Sequence, residues 1–421
     1  MKLLRGCIVS FLMLCLVEGL LRLFPSPQLS PLPTIELHAK LHAYHLLKEE
    51  DRCHIDEMLT RGADSTQQIM SAQTFPCVPI QKRIVLLGGS TIQGYGVSPH
   101  ENLQAHLTSL SQPTYDVINL GVAGYTSSQI VEMLPEVWEI QPDVLVVYTG
   151  HNDVIFYPEI QSIFEEQYNT LVLWKQLRKI RIFQWLEKTL VTKEVRDLSF
   201  DQRLQSVYTQ SIVLPTTPED IIQTHRNAIF HESNILELLQ FNLHTILQEA
   251  KNRGVFVVVV SPMHRLDAPI LGGLYATSMN LQDIQNFETC TKIIHHPPPI
   301  DNAQWTQCLS LNSTYGPLRY QYGKMFLNHG KVTQAIEQWT YARRHTPAIY
   351  QGHFPQRWVT PIHKIVEENS MVWIDLFGSW HDPEKFSLTQ PYFVDSIHLS
   401  SLGHKQLARQ IWTEIEKHGA Q

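Results

Sequence analysis

Five short runs of apolar residues, rich in valine and isoleucine, constrain the fold of this chain more than any other feature. Because apolar side chains occupy consecutive positions in them, the runs are typical of strands that are buried on both faces of a parallel sheet. Apolar residues at helical spacing lie between the runs, as in residues 235–253, which end before Gly254, and in residues 401–417. We therefore predict an open α/β fold in which helices cover both faces of a five-stranded parallel sheet. The predicted strands span residues 84–87, 117–120, 144–148, 255–260 and 371–376.

Two long stretches, residues 158–233 and 268–370, interrupt this alternation and are predicted to be helical insertions. The second contains small and aromatic residues at regular spacings, namely Gly323, Phe326, Ala335, Trp339, Ala342 and Pro347. With these spacings, residues 316–350 resemble a single tetratricopeptide repeat, a helix–turn–helix of about 34 residues. A lone repeat cannot bury its own apolar face. We expect a helical hairpin that either packs on the core or offers a surface to a protein partner.

The composition excludes several classes of protein. Lys plus Arg number 33 and Asp plus Glu number 40, which gives a net charge of −7. A mildly acidic chain is not expected to bind nucleic acid. With 421 residues, of which 43% are hydrophobic and 17% charged, the chain has a globular rather than a disordered composition. Its one apolar run of sufficient length excludes a protein with several membrane spans.

That run, residues 7–24, follows Lys2 and Arg5 and is interrupted by Glu18 and Arg22. The two interrupting charges are four residues apart, so they can face each other on a helix. Its 18 residues are just enough to cross a bilayer core of about 30 Å. We predict an uncleaved signal anchor; a cleaved signal peptide and a buried soluble helix are the alternatives.

The predicted organisation therefore has three parts. Residues 1–24 form the anchor, and residues 25–80, which begin with a proline-rich stretch, form a membrane-proximal spacer. Residues 81–421 form one domain that carries the two insertions. We expect this domain to lie outside the cytoplasm, in the periplasm or at the cell surface, or to be secreted if the signal is cleaved.

Six cysteines agree with this location, two of them within the apolar run. The other four allow three pairings. We favour the two sequence-local disulfides, Cys53–Cys77 and Cys290–Cys308, and four buried free thiols are the alternative. Disulfides persist in oxidising compartments outside the cytoplasm.

Glycine and polar residues follow the first three predicted strands, where the site of a parallel α/β fold lies. Ser90 comes after Gly88 and Gly89, on a turn that enters a helix. Gly124 follows the second strand and lets the backbone approach a ligand with its N–H free. Asn152 follows the third strand and provides a side-chain amide donor. We expect these groups to face one common space.

Asp395 and His398 lie just before the last predicted helix. An aspartate three residues before a histidine can turn back to hold the imidazole ring. It then directs the other ring nitrogen at a nucleophile and stabilises the imidazolium. Each motif alone is a weak signal, but all four in this order indicate a hydrolytic site.

In these four blocks the sequence resembles the SGNH hydrolase superfamily, also called GDSL-type lipases and esterases. The blocks are residues 88–90, 119–127, 150–153 and 395–398. The resemblance implies a flavodoxin-like three-layer sandwich with a five-stranded parallel sheet. It departs from the family pattern at Gly89, where the GDSL name expects aspartate.

The resemblance also implies a role for each residue of the site. Ser90 is the nucleophile, His398 is first general base and then general acid, and Asp395 orients His398. The backbone N–H groups of Ser90 and Gly124 and the side chain of Asn152 form the oxyanion hole. The family needs no metal and no cofactor.

The anchor and the resemblance together predict a membrane-anchored extracytoplasmic serine esterase. Its substrate would be an acyl ester, acetyl for example, of a cell-envelope glycan or a small molecule. An O-acyltransferase that modifies a cell-surface polysaccharide, and a partner-binding scaffold with a vestigial site, are the alternatives.

His151 is expected to cap its turn or to touch substrate, and Asp153 is expected to hold its loop. Residues 312–314 form a glycosylation sequon.

Overall fold

The computed structural model describes residues 46–49, 51–55, 73–155, 215–270, 272–295, 297, 303–380 and 390–418. All of them belong to one compact unit, which comprises residues 42–157 and 210–421. The predicted anchor lies outside the described residues, as does most of the first predicted insertion. None of the helices in the described ranges is long and apolar enough to span a bilayer.

The strands of these ranges are numbered in chain order. They are β1 (Leu46–Glu49), β2 (Arg52–Ile55), β3 (Gln73–Pro76), β4 (Lys82–Gly88), β5 (Tyr115–Gly121), β6 (Val144–Tyr148), β7 (Phe256–Val260) and β8 (Val372–Ile374). The α-helices are α1 (Ser90–Gln93), α2 (Leu103–Ser111), α3 (Ser127–Glu139), α4 (His151–Ile155), α5 (Pro218–Asn252), α6 (Leu281–His295), α7 (Ala303–Leu311), α8 (Gly316–Asn328), α9 (Val332–His345), α10 (Ala348–Gln351), α11 (Val359–Glu368), α12 (Leu376–Trp380) and α13 (Ser401–His418). Short 3₁₀ turns occupy Gln356–Trp358 and Gln390–Tyr392.

The central sheet has five strands in the order β5-β4-β6-β7-β8, and every neighbouring pair is parallel. Each predicted strand corresponds to one of these strands, so the predicted flavodoxin-like α/β fold is confirmed. Gly88 at the end of β4 is in register with Gly121 of β5 and Tyr148 of β6. The carboxyl ends of the three strands therefore meet at one edge of the sheet, where their motifs follow.

Helices cover both faces of the sheet. On one face, buried side chains of β4, β6 and β7 form a continuous core with α2 and α13. On the other, α3 and α5 pack on each other and contact β4 and β7. Because strands between two helical layers have no solvent face, their apolar runs are continuous rather than alternating.

Part of the predicted spacer, residues 25–80, is folded in the residues that the structure describes. Strands β1, β2 and β3 form an antiparallel sheet, which the Cys53–Cys77 disulfide cross-links. The Gln73 side chain pairs with the edge strand β5 of the central sheet: its Nε2 donates to the Asn119 carbonyl (2.8 Å), and its Oε1 accepts from the Asn119 N–H (3.0 Å). Four-residue strands with mixed polar residues carry too weak a periodicity to be predicted from sequence.

Helix α5 is also longer than predicted. It begins at Pro218, and a capping box of Thr217 and Asp220 fixes this start. The predicted insertion boundary at residue 233 therefore falls inside one continuous helix of 35 residues.

The second insertion is helical, as predicted, and contains α6 to α11. The Cys290–Cys308 disulfide joins α6 to α7, which confirms the second predicted pair. Helices α8 and α9 form a hairpin in which Trp339 is fully buried. A Cβ at Gly323 would come within 2.5 Å of the Trp339 indole nitrogen, so glycine is needed for this close approach. The resemblance of the hairpin to a tetratricopeptide repeat stays a prediction.

Candidate active site

Ser90 is the first residue of α1, directly after β4. Its neighbour Gly89 has extended backbone and is the residue before the helix. A Cβ at Gly89 would come within 2.5 Å of Asn152 Nδ2. Gly89 occupies the position of the aspartate in the GDSL name. In this chain a side chain at that position would fit only if Asn152 moved. The turn thus brings Ser90 and Asn152 to the same edge of the sheet.

His398 lies opposite Ser90, on the loop before α13. The Ser90 hydroxyl oxygen is 2.7 Å from His398 Nε2, and His398 Nδ1 is 2.6 Å from Asp395 Oδ2. The loop is closed at its base, where Phe393 bridges Leu399 and the Val394 N–H donates to the His398 carbonyl. Three side chains that are 308 and 3 residues apart along the sequence thus form one hydrogen-bonded row.

Asp395 is bound more tightly than this single contact suggests. Its Oδ1 accepts the backbone N–H groups of Ile397 (2.9 Å) and His398 (2.8 Å). Partial burial opposes its ionisation, but the hydrogen bonds and the charge of His398 outweigh this and lower the pKa of Asp395 to about 2. The carboxylate is therefore charged at neutral pH, which is the state that orients an imidazole and stabilises its protonated form.

The predicted oxyanion donors lie on the adjoining loops. Gly124 has φ +82°, a left-handed conformation that favours glycine. Asn152 lies in the first turn of α4, and its Nδ2 donates to the Tyr125 carbonyl (2.8 Å). This bond uses one N–H of the amide and fixes the group next to Ser90, since Nδ2 also closely approaches Gly89.

Asp153 connects the segments that follow β5 and β6. This buried carboxylate accepts the backbone N–H (3.1 Å) and the hydroxyl (2.5 Å) of Ser127, and the hydroxyl of Thr149 (3.3 Å). The Asn242 amide of α5 donates to the same Ser127 hydroxyl (2.9 Å). Burial raises the pKa of Asp153, while these hydrogen bonds oppose the rise. The predicted role of Asp153 in holding its loop matches these contacts.

His151 is buried between two loops and does not line the reacting groups. Its Nε2 lies 3.0 Å from the Met263 carbonyl, and its Nδ1 accepts the Phe354 N–H (3.1 Å). Neutral imidazole with the proton on Nε2 satisfies both contacts. Burial lowers the pKa of His151 to about 4, so this form persists at neutral pH. Of the two predicted roles, the contacts favour the one that holds the turn.

The second insertion reaches the His398 loop through a buried arginine that sequence reasoning missed. Arg343 of α9 donates to the carbonyls of Leu266 (3.0 Å), Arg265 (3.3 Å) and Ala268. The Arg265 N–H in turn donates to the Ser396 carbonyl (2.8 Å), within the loop that carries His398. No local motif could have predicted this role of Arg343, because its partners are about 75 residues away in sequence.

Tyr95 is a second residue that the motifs did not indicate. Its ring centroid is 4.4 Å from that of His398, with the planes tilted by 39°. It directly follows Gly94, the left-handed residue that ends α1. Its position five residues after Ser90 is the one sequence signal that could have predicted its place next to the candidate site.

Two further expectations concern metals and glycans. The described part of the chain contains no group of three or more His, Cys, Asp or Glu side chains that could hold a metal ion.

In the sequon, Asn312 is buried, and its Nδ2 donates to the Leu274 carbonyl (2.9 Å). An amide in this position is not accessible for glycosylation in the folded protein.

Comparison with known protein families finds a match to part of the chain. Residues 86–285 match the model of the GDSL-like lipase/acylhydrolase family. This span begins inside β4 and includes the Ser90, Gly124 and Asn152 blocks, together with β7. None of the curated proteins matches the sequence at a significant level.

Solved structures of esterases and lipases are also similar to this chain, at low identity. An acetyl xylan esterase, AlAXEase, is 12% identical, with 79% of this chain and 99% of that chain covered and a TM-score of 0.36. A lipase/acylhydrolase from Enterococcus faecalis is 14% identical (80% and 96% covered, TM-score 0.33). A catalytic mutant of an acetylxylan esterase from Geobacillus stearothermophilus is 12% identical (79% and 94% covered, TM-score 0.34). With scores this low, the fold assignment depends on the strand order of this chain.

The parallel sheet, in the strand order found here, defines an open α/β fold, in which ligand sites lie at the carboxyl ends of the strands. Residues 86–285 carry a GDSL-like lipase/acylhydrolase domain of the SGNH type, and the enzyme is a serine hydrolase that acts on ester bonds.

Proposed function

We propose that Ser90, His398 and Asp395 are the catalytic residues of this ester hydrolase. Two consecutive hydrogen-bond contacts support this proposal: the Ser90 hydroxyl lies 2.7 Å from His398 Nε2, and His398 Nδ1 lies 2.6 Å from Asp395 Oδ2. Both distances are within hydrogen-bond reach, which is what a nucleophile, its base and an orienting carboxylate require.

The reaction has two halves. Ser90 transfers its hydroxyl proton to His398 Nε2 as its oxygen bonds to the ester carbonyl carbon. The tetrahedral intermediate then breaks its bond to the alcohol oxygen, which takes the proton from His398 and leaves an acyl-serine. Water next gives a proton to His398 and attacks the acyl carbon, and Ser90 leaves with that proton as the carboxylic acid is released.

The oxyanion of each intermediate is assigned to three donors, the backbone N–H groups of Ser90 and Gly124 and the Asn152 amide. The left-handed Gly124 and the fixed Asn152 amide support this assignment. Donors held in place before the reaction need no reorganisation as charge develops, and one such donor contributes roughly 10²–10³ in turnover.

The proposed substrate is an acyl ester, acetyl for example, of a cell-envelope glycan or a small molecule, and the proposed location is outside the cytoplasm on a membrane anchor. The apolar run at residues 7–24, preceded by Lys2 and Arg5, supports the anchor. The two disulfides support an oxidising compartment.

Turnover of an acetyl ester by the full-length chain tests the activity. We expect the wild type to release acetate and Ser90→Ala to release it at a rate lower by at least about 10³-fold. Ser111→Ala, which removes another buried hydroxyl, is the matched control and should retain the activity. Equal turnover by wild type and Ser90→Ala would overturn the assignment.

The same assay with an added oligosaccharide separates hydrolysis from acyl transfer. An esterase produces free acetate at a rate that the oligosaccharide does not lower. If acetyl appeared on the oligosaccharide faster than free acetate, the chain would be the O-acyltransferase.

A further inference from the structure

Tyr95 stands beside the reacting groups with half of its surface open to solvent. Its backbone N–H donates to the Ser90 carbonyl (3.0 Å), and its ring lies against His398 with centroids 4.4 Å apart. The residue is nevertheless 53% exposed. Single exposed aromatic residues are common on protein surfaces, so the position of this ring against His398, and not its exposure alone, makes it a candidate for contact with the substrate.

Val394 extends this apolar surface. It directly precedes Asp395 and is 44% exposed. It lies against the backbone next to Tyr95, since a Cβ at Gly96 would come within 2.8 Å of Val394 Cγ2. An aromatic ring and a branched aliphatic side chain thus flank the catalytic histidine from the two loops that supply Ser90 and Asp395.

The chemistry of the reaction decides which part of the substrate meets this surface. In the first half-reaction His398 Nε2 donates its proton to the leaving alcohol, so the alcohol oxygen must come within about 3 Å of that nitrogen. The carbonyl oxygen points to Gly124 and Asn152 instead. The group attached to the alcohol oxygen therefore lies next to the imidazole, on the side that Tyr95 and Val394 flank.

From this placement we infer that Tyr95 and Val394 form the alcohol subsite and that it selects esters of ring-shaped alcohols. A flat or chair-shaped ring can cover the exposed face of Tyr95 and remove both surfaces from water. A pyranose and a benzyl alcohol share this shape, whereas an ethyl group is too small to cover the ring. The inference rests on the proposed function, because it assumes His398 as the proton donor.

The subsite also serves the second half-reaction. The acceptor that attacks the acyl-serine gives its proton to His398 and so approaches from the same side. When the acceptor is a ring alcohol, its oxygen forms the new ester bond, the bond to the Ser90 oxygen breaks, and the proton moves through His398 to Ser90. Tyr95 thus contributes to the partition between water and a ring-shaped acceptor.

Esters with one acyl group and different alcohols test this inference. Ethyl acetate, benzyl acetate and a methyl 6-O-acetylglucopyranoside share the acyl group, so differences in kcat/KM report the alcohol subsite. We expect Tyr95→Ala to lower the ratio of kcat/KM for the ring esters to that for ethyl acetate by about threefold to tenfold. Tyr95→Phe should retain the wild-type ratio, and the two ring esters distinguish a pyranose from an aromatic preference.

Two controls make the result specific. Phe230→Ala removes an aromatic ring of similar exposure, 52%, from α5 and should leave the ratio unchanged. A series of ethyl esters with longer acyl groups should show the same acyl preference in Tyr95→Ala as in the wild type. If Tyr95→Ala lowered kcat/KM for all three acetates by one common factor, Tyr95 would only position His398, and the inference would be overturned.

Failure of the proposed function gives a different result. In that case Ser90→Ala would turn over all three acetates as fast as the wild type, whatever the effect of Tyr95→Ala. A Ser90-dependent activity with unchanged alcohol ratios would overturn the subsite alone.

Discussion

Asp395, which we propose orients His398, contacts that residue through both of its carboxylate oxygens. One oxygen contacts the His398 ring, and the other accepts the backbone N–H groups of Ile397 and His398 in the same short loop. The carboxylate thereby fixes the ring and the loop backbone together. Its pKa of about 2 lies below the ordinary 3.8, so the stabilisation it provides is complete above pH 3.8 and is lost as the pH falls through 2.

Asp395→Asn should lower kcat by roughly 10²- to 10⁴-fold, because an amide neither stabilises the imidazolium nor selects the same ring tautomer. The KM should change little, since Asp395 does not face the substrate. Steady-state kinetics on an acetyl ester at pH 7 checks this. A kcat within twofold of the wild type would show that Asp395 does not assist His398.

His404 is a buried histidine that the proposed mechanism does not use. It lies in the first turn of α13 with no exposed surface, and neither ring nitrogen has a hydrogen-bond partner among the described residues. Burial, with smaller effects from His106 and His398, lowers the pKa of His404 from 6.5 to about 3. The unfolded chain thus binds a proton between these values that the native chain does not bind.

This difference predicts a pH-dependent stability. As the pH falls below 6.5, the unfolded state gains the proton of His404, so the free energy of unfolding decreases until about pH 3. Between pH 7.5 and 5 the loss from this residue is about 2 kcal/mol. Urea unfolding of wild type and His404→Leu at both pH values measures it: the variant should lose less stability. Equal losses would contradict the pKa shift.

At the scale of elements, the hairpin of α8 and α9 is connected to the catalytic loop. Arg343 donates to carbonyls of the segment after β7, and Arg265 of that segment donates to Ser396. Burial lowers the pKa of Arg343 to about 10, so it remains charged at neutral pH. A charged group that binds several carbonyls can hold a loop more rigidly than a neutral one.

Arg343→Lys should therefore reduce both stability and turnover. A lysine cannot reproduce the planar fork of donors, and we expect a loss of about 2–4 kcal/mol in the free energy of unfolding. Because the His398 loop loses its support, kcat should fall by up to about 100-fold with little change in KM. Arg344→Lys, at the exposed neighbouring position, is the control and should change neither value. A destabilised variant with wild-type kcat would show a purely structural role.

The elements differ in how far the sequence predicts them. The five central strands could be predicted because their burial on both faces leaves uninterrupted apolar runs. The residues of the site could be predicted because each follows a strand end or lies three residues from its partner. The start of α5, the sheet of β1 to β3 and the contacts of Arg343 could not, since they depend on short polar segments or on partners far away in sequence.

At the scale of the whole molecule, two disulfides cross-link separate parts of the chain. One cross-links the small antiparallel sheet, and the other joins two helices of the second insertion around Phe287 and Trp305. The second pair closes a separation of 18 residues, a loop for which chain entropy predicts about 3 kcal/mol of stabilisation.

Replacing both Cys290 and Cys308 by alanine should lower the free energy of unfolding by about 3 kcal/mol, and urea unfolding measures this. Alkylation of the unfolded wild type with and without prior reduction counts the bonded thiols. Reduction should expose four additional thiols. A chain purified from its native compartment that shows no additional thiols would contradict both disulfides.

We propose that Ser90, activated by His398, forms the covalent acyl-enzyme of this hydrolase. The most direct measurement is the intact mass of the full-length protein after treatment with a fluorophosphonate, followed by peptide mapping. We expect one adduct, located on Ser90, that is absent from Ser90→Ala and forms far more slowly on His398→Ala. Labelling of Ser90→Ala at the wild-type rate, or an adduct on another residue, would contradict it.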